Sequence, residues 1–214
     1  MTERRDTNSP LVVERSGSNT RVTIIEVATR LFGERGYPGT SIRDIAEIVG
    51  ILPGSLYAHI GNKEEMLFEI VSSGIDQFLE VVGGSASETE PRERLKAMIR
   101  AHLVVVAQNP QSAQVVFHQW RFLSEANQAL VRKKRRAYER LFRDVIVEGA
   151  GYGTPESELE LRIAVLVVLG SLNWSAEWLG AGSNIDDGTA DAFSGVILNG
   201  LVMSKPPKSI GRKV

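Results

Sequence analysis

Between Thr40 and Lys63 two short apolar runs at helical spacing lie on either side of one glycine. The stretch reads Thr-Ser-Ile-Arg-Asp-Ile-Ala-Glu-Ile-Val-Gly-Ile-Leu-Pro-Gly-Ser-Leu-Tyr-Ala-His-Ile-Gly-Asn-Lys. Ile42, Ile45 and Ala46 share a face of the first run, and Ile51, Leu56 and Ile60 supply the surface opposite. Ala46 is small where two helices must cross closely. Gly50 stands where the turn needs a backbone angle that other residues resist. Thr40 is expected to cap the first helix through its hydroxyl. A short second helix is expected around Pro53 to His59. The pattern predicts a helix-turn-helix, an arrangement whose second helix enters the DNA major groove.

The rest of the chain is also helical in period. Upstream, Val22, Ile25, Ala28, Leu31 and Phe32 recur at three- and four-residue spacing from Thr20, and Gly36 stops that helix. Lys63 opens a long helix carrying Leu67, Phe68, Ile70, Val71, Ile75, Phe78, Leu79 and Val82, closed by the flexible stretch 83–87. Pro91 suits the first turn of the next helix, and Asn109-Pro110 breaks it. A segment at about 111–125 comes next. A helix at about 127–148 has Leu130, Ala137, Leu141, Val145 and Ile146 as its expected stripe, with a glycine-rich loop at 149–155. Two more helices are expected at about 156–180 and 187–203. No stretch shows sustained strand alternation. The expected fold is all-α with about nine helices: a disordered arm at 1–19, a three-helix unit at 20–66, a larger helical domain at 67–203 and a flexible tail at 204–214.

Composition narrows the function classes. The chain has no cysteine, so disulfides and thiolate chemistry are excluded. The polar N-terminus lacks an apolar signal core. The most apolar run, Ile163 to Leu172, is shorter than the roughly 20 residues of a bilayer span, so a cytoplasmic protein without membrane contact is expected. The three histidines, His59, His102 and His118, have no metal-ligand spacing, and there is no nucleophile–base set or glycine-rich phosphate loop. No metal, no cofactor and no enzymatic activity are expected. Charge gives no support for non-specific phosphate binding: residues 1–63 carry eight Lys+Arg and seven Asp+Glu, a net of +1. The arginines in or near the arm, Arg4, Arg5, Arg15 and Arg21, either decorate a solvated tail or touch DNA.

The segment closely resembles the TetR family of regulators. The resemblance is carried by Ser41-Ile42-Arg43-Asp44-Ile45-Ala46, Gly50-Ile51, Gly54-Ser55-Leu56-Tyr57, His59-Ile60 and Asn62-Lys63-Glu64-Glu65, with Ala28-Leu31-Phe32-Glu34-Arg35-Gly36-Tyr37 upstream. It covers about residues 20–66. It implies that Tyr57 and His59 lie on the recognition helix, with Tyr57 reaching a phosphate. Lys63 would contact the DNA backbone at a helix N-terminus, Ser41 and Arg43 would face DNA from the preceding helix, and Leu52, Pro53, Gly54, Ser55 and Ala58 would line the base-facing side. That side is poor in bidentate readers, which favours thymine-methyl contact and shape readout.

The same resemblance implies that the larger domain binds a small molecule and forms a homodimer through the helices at about 156–180 and 187–203. The first of these is apolar on several faces, from Leu161 to Trp178, as a helix buried between a core and a partner would be. A membrane helix is the competing reading, against which Arg162, Asn173 and Glu177 speak. The candidate ligand pocket comprises Phe117, His118, Trp120 and Arg121 from one helix and Asn173, Trp174 and Glu177 from another. The run Arg132-Lys133-Lys134-Arg135-Arg136 is either a solvated helix face or a phosphate site. Finer features, among them Tyr138-Glu139, Phe142 and Asn173-Trp174, resemble actinobacterial-type regulators of lipid and steroid catabolism, several of which answer to acyl-CoA thioesters. The resulting expectation is a repressor released from a palindromic operator by a small-molecule effector, an acyl-CoA or another hydrophobic ligand. The alternative is a helical small-molecule carrier or enzyme with no DNA-binding role.

Overall fold

A computed structural model describes residues 17–87, 90–150, 158–183 and 185–202. Among them the chain forms α-helices α1 (Gly17–Arg35), α2 (Ile42–Val49), α3 (Pro53–Leu56), α4 (Lys63–Gly84), α5 (Pro91–Gln108), α6 (Pro110–His118), α7 (Glu125–Ala150), α8 (Glu158–Trp178) and α9 (Asp187–Val202), with a 3₁₀ turn at Gln119–Phe122 after α6. Most of the N-terminal arm, most of the 149–155 loop and the tail lie outside the described residues. The first helix begins three residues earlier than its apolar period suggests, at Gly17.

Short polar residues set the helix boundaries. Ser41, not Thr40, caps α2: its hydroxyl accepts from the Asp44 amide while the Asp44 carboxylate accepts from the Ser41 amide. Thr40 is buried instead. Its hydroxyl lies 3.1 Å from the Leu31 carbonyl and 3.0 Å from that of Gly36, so it ties down the open end of α1. Asn62 caps α4, and Asn109 ends α5 and caps α6 in one residue. Gly50 adopts φ 79°, and its amide closes α2 on Ala46 and Glu47.

One core runs through the molecule. Ile24, Ala28, Leu31, Phe32, Ile45, Ala46, Leu56 and Ile60 bury the α1–α3 unit, and Met66, Leu67 and Val71 of α4 join it to the larger domain. Helix α6 packs against α1, α4 and α8. Gly74 makes the α4 contact possible, because a Cβ there would overlap Val116 Cγ2.

Two helices differ from their expected faces. The buried stripe of α7 is Val131, Tyr138, Phe142, Val145 and Ile146, whereas Leu130 is exposed and Ala137 and Leu141 are only half-buried. As a whole, α8 is long and apolar enough to span a bilayer, unlike its central run alone, but its faces are unequal. Leu161, Ala164, Val165, Val168 and Leu172 enter the core, while Leu159, Ile163, Leu166, Val167, Trp174 and Trp178 face outward.

Replacing Gly74 with leucine should lower stability by about 1–3 kcal/mol, the usual cost of overpacking a filled contact. Urea unfolding would register this as a lower midpoint; an unchanged midpoint would show that α6 can retreat from α4.

Candidate nucleic-acid interface and cavity

Helix α3 is shorter than expected. It ends at Leu56, and residues 57–59 continue as turns in which Ala58 and His59 amides donate to the Ser55 and Leu56 carbonyls. Only Leu56 of the helix is buried, so it acts as the anchor. Ser41, Arg43, Leu52, Pro53, Gly54, Ser55, Tyr57 and Ala58 are all exposed, and His59 is half-buried. The candidate DNA residues of α2, the turn and α3 are therefore open to solvent. Leu52 is 74% and Tyr57 53% exposed.

Lys63 is the exception. Its ammonium donates to the Tyr37 carbonyl and lies 4.1 Å from the Tyr37 ring centroid. Burial lowers its pKa, partly opposed by Asp44. It is thus engaged inside the protein at the α1 exit, and a phosphate would have to compete with these contacts.

Tyr37 is a junction. Its ring meets Phe32 edge-on at 5.2 Å and stacks on Phe122 at 5.8 Å, and its amide donates to Gln119 Oε1. Close by, Glu64 at the start of α4 accepts from the Ser124 amide at 2.9 Å and from Asn127 Nδ2 at 2.8 Å. Hydrogen bonds from Ser124, then Asn127, hold its carboxyl below the ordinary range. Arg21 of α1 grips Glu69 of α4 through two 2.6 Å hydrogen bonds.

Behind this joint lies a cavity of about 220 Å³. Ile75, Phe78, Val116, Phe117 and Leu169 give it apolar walls, Leu166, itself 55% exposed on α8, borders it where it opens to solvent, and Arg135, Tyr138, Glu139 and Asn173 bring polar groups. Of the seven residues expected to line a pocket, Phe117 and Asn173 do so. His118 is exposed, with Nε2 3.8 Å from Glu177 Oε1. Trp120 sits outside the lining, with the Arg135 guanidinium 5.2 Å from its ring centroid and Arg121 at 6.0 Å. Trp174 is 63% exposed on the outer face of α8. The physical reason is helix phase: α6 ends at His118, so the next residues do not follow Phe117 inward.

Tyr138 is a cavity residue that sequence reasoning missed, and Arg135 is one it left undivided within a charged run. The charged run at 132–136 divides: Arg132, Lys133 and Arg136 are exposed, Lys134 bonds Ser72 and Asp76, and Arg135 turns to the cavity. Burial, then Arg121, lowers the Arg135 pKa, against the opposing pull of Glu139. Val131, Arg135, Tyr138 and Phe142 recur at helical spacing, a signal that could have placed Arg135 inward.

Behind Tyr138 is His102, fully buried against the rings of Phe78 and Phe117. Its Nδ1 is 2.8 Å from the Tyr138 hydroxyl. Nε2 has no hydrogen-bond partner among the described residues, and the nearby Leu172 backbone only partly offsets the burial that disfavours a charged ring. Burial depresses the His102 pKa to about 3.

Comparison with known proteins agrees with this architecture. The model of bacterial regulatory proteins of the tetR family matches residues 24–70, and a tetracyclin repressor-like C-terminal domain model matches 88–201. The HTH-type transcriptional repressor KstR2 of Mycobacterium tuberculosis is 31% identical over 150 residues, covering 66% of this chain and 72% of that protein. A TetR-family regulator from Bordetella parapertussis shares the fold at a TM-score of 0.79 and 23% identity, over 88% of this chain and 99% of that one. The structure of AibR in complex with isovaleryl coenzyme A and operator DNA aligns at 0.67 and 26% identity, over 83% and 97%.

The buried histidine carries a pH prediction. The unfolded chain protonates His102 near pH 6.5, the folded protein only near pH 3, so stability falls as pH drops through that window. Urea unfolding at stepped pH should show a slope that is shallower in His102→Gln than in the wild type. Equal slopes would mean that His102 takes up its proton in the folded state.

Proposed function

The chain belongs to the TetR family of bacterial regulatory proteins, and on that premise we propose that it is a sequence-specific DNA-binding transcriptional repressor released from a palindromic operator by a small-molecule effector. One observation carries this reading: a single joint serves both sites. Helix α6 walls the cavity with Val116 and Phe117, and the turn after it grips the frame of the reader through Gln119, Phe122 and Ser124. Regulators of this family are not enzymes, and a role of this kind is exercised in the cytoplasm, where the operator is.

In this reading α3 enters the major groove. Leu52, Pro53, Gly54, Ser55 and Ala58 face the bases, Tyr57 reaches a phosphate, and His59 lies beside it. Ser41 and Arg43 approach the backbone from α2. Lys63 exchanges the Tyr37 carbonyl for a phosphate oxygen. The segment 40–63 has Arg43 and Lys63 against Asp44 and Glu47 and so no net charge. A reader this neutral needs two copies held at the spacing of successive major-groove faces, about 34–36 Å. The outward apolar face of α8, and Val196 of α9 at 77% exposure, support a homodimer through these two helices.

The effector fits the class of an acyl-CoA or another hydrophobic ligand. The AibR complex holds isovaleryl coenzyme A, and a related protein of Bacillus subtilis, 23% identical, is a fatty acid metabolism regulator. A cavity of about 220 Å³ is below the roughly 300–1,000 Å³ of drug-sized sites. It suits an acyl group, with the nucleotide of a thioester lying outside.

Two experiments test this. On DNA upstream of the protein's own gene, Tyr57→Ala and Lys63→Ala should each weaken binding roughly tenfold or more, the value of a hydrogen bond to a charged group. Wild-type affinity in both variants would refute the assignment. In a thermal-shift series, acyl-CoAs should raise the melting temperature where the free acids do not, by about 2.7 kcal/mol of stabilisation at a hundredfold excess over Kd. No shift with any thioester removes the acyl-CoA class.

A further inference from the structure

Proteins that read the major groove by hydrogen bonding use Arg or Lys on guanine and Asn or Gln on adenine, because these side chains match two groups on one base edge. From Asp44 to Gly61 this chain has no Arg, Lys, Asn or Gln. The stretch covers the remainder of α2, the turn and all of α3. The side chains it does expose are mostly apolar, Ile48, Leu52, Pro53 and Ala58, beside Glu47, Ser55 and Tyr57. A serine hydroxyl pairs with more than one base and discriminates weakly.

Leu52 stands out in this set. It precedes α3 in extended backbone, φ −68° and ψ 143°, and contributes no side-chain hydrogen bond to the cap. Its side chain is outside the core, the most exposed large apolar group on the α1–α4 side of the molecule. A capping position usually favours Ser, Thr, Asp or Asn, so leucine here forgoes a cap and helps no packing. Pro53 comes next, at the first helical position, where its ring fixes the backbone and presents a second apolar surface.

One base carries a complementary group. Thymine alone among the four offers a C5-methyl in the major groove. We infer that this reader selects its operator through thymine methyl groups, received by Leu52 with Pro53 and Ala58 beside it. The inference rests on α3 being the groove-facing element. It accounts for the missing bidentate side chains and for the exposed leucine together. It also names the DNA: half-sites with A·T pairs whose thymines face the start of α3, rather than sites organised around a guanine contact.

The test uses duplexes that the protein selects from a randomised pool, remade with deoxyuridine in place of thymidine at one position at a time. Deoxyuridine keeps the pairing and the phosphates and removes only the methyl. Anisotropy titrations of the full chain should show about fourfold weaker binding for each contacted methyl, the effect of burying one carbon. Leu52→Ala should bind the thymine duplex several-fold more weakly and lose nothing further when that same methyl is removed. Leu52→Gln should move the selected base at that position. Melting temperatures of both variants should match the wild type, because Leu52 lies outside the core. Specific binding that is indifferent to deoxyuridine at every position would overturn methyl readout. A methyl effect that persists in full in Leu52→Ala would overturn the role of Leu52. Selection of no sequence at all would instead remove α3 as the reader, and this inference with it.

Discussion

The structure depends on how closely α6 can approach its neighbours. At Gly33 a Cβ would lie 3.0–3.2 Å from Gln111 atoms of α6, and at Gly74 the corresponding space is filled by Val116. Two glycines, one on α1 and one on α4, thus let one short helix sit against both. Glycine inside a helix costs roughly 0.5–1 kcal/mol relative to alanine, so the close contact must return more than that in packing. The same helix then supplies a wall of the cavity. The reader frame and the cavity are not separate modules joined by a linker; they share a structural member.

The segment after α6 makes a displacement there matter. The 3₁₀ turn and the start of α7 hold Tyr37 and Glu64 through Gln119, Phe122, Ser124 and Asn127. Tyr37 holds Lys63. Each contact is modest, because hydrogen bonds in partly solvated settings contribute about 0.5–1.5 kcal/mol. Together they tie the reader frame to the segment after α6, so a displacement of that segment would be felt at Tyr37 and Glu64.

The helix-turn-helix is legible because its requirements are local. Gly50, Ala46 and the apolar spacing each answer to a short-range constraint, and the number and order of helices follow from the same 3.6-residue period. The departures from expectation share a physical cause, which is that residue type speaks louder in a sequence than helix phase. Thr40 is a good cap by type, but the Leu31 carbonyl, nine residues back in sequence, claims its hydroxyl. Leu130 and Leu141 are core by type, yet the turn of α7 puts Val131, Tyr138 and Phe142 inward. Arg135 belongs by type with its charged neighbours, although its spacing from Tyr138 places it on the buried stripe. Cavity residues are hardest to read, since they come from α4, α6, α7 and α8 and no local pattern joins them.

Helix α8 shows why the two halves of the molecule need each other. Its sequence is apolar nearly all round, and a single copy of the chain buries only one side. The outer side, from Leu159 to Trp178, includes Leu166, Val167 and Trp174, each more than half exposed. Contiguous apolar surface of this kind marks an interaction site. The exposed surface around α3 has the opposite deficiency: as a DNA reader it would be too weakly charged to hold DNA alone. A second copy seated on α8 would remedy both, because joining two weak readers makes the second contact intramolecular and multiplies their affinity. The apolar surplus of one domain thereby compensates for the missing charge of the other. In such a pair the binding strength would depend on the distance between the two readers, and the contacts of the segment after α6 with Tyr37 and Glu64 are the place where a change at the cavity could reach the reader frame.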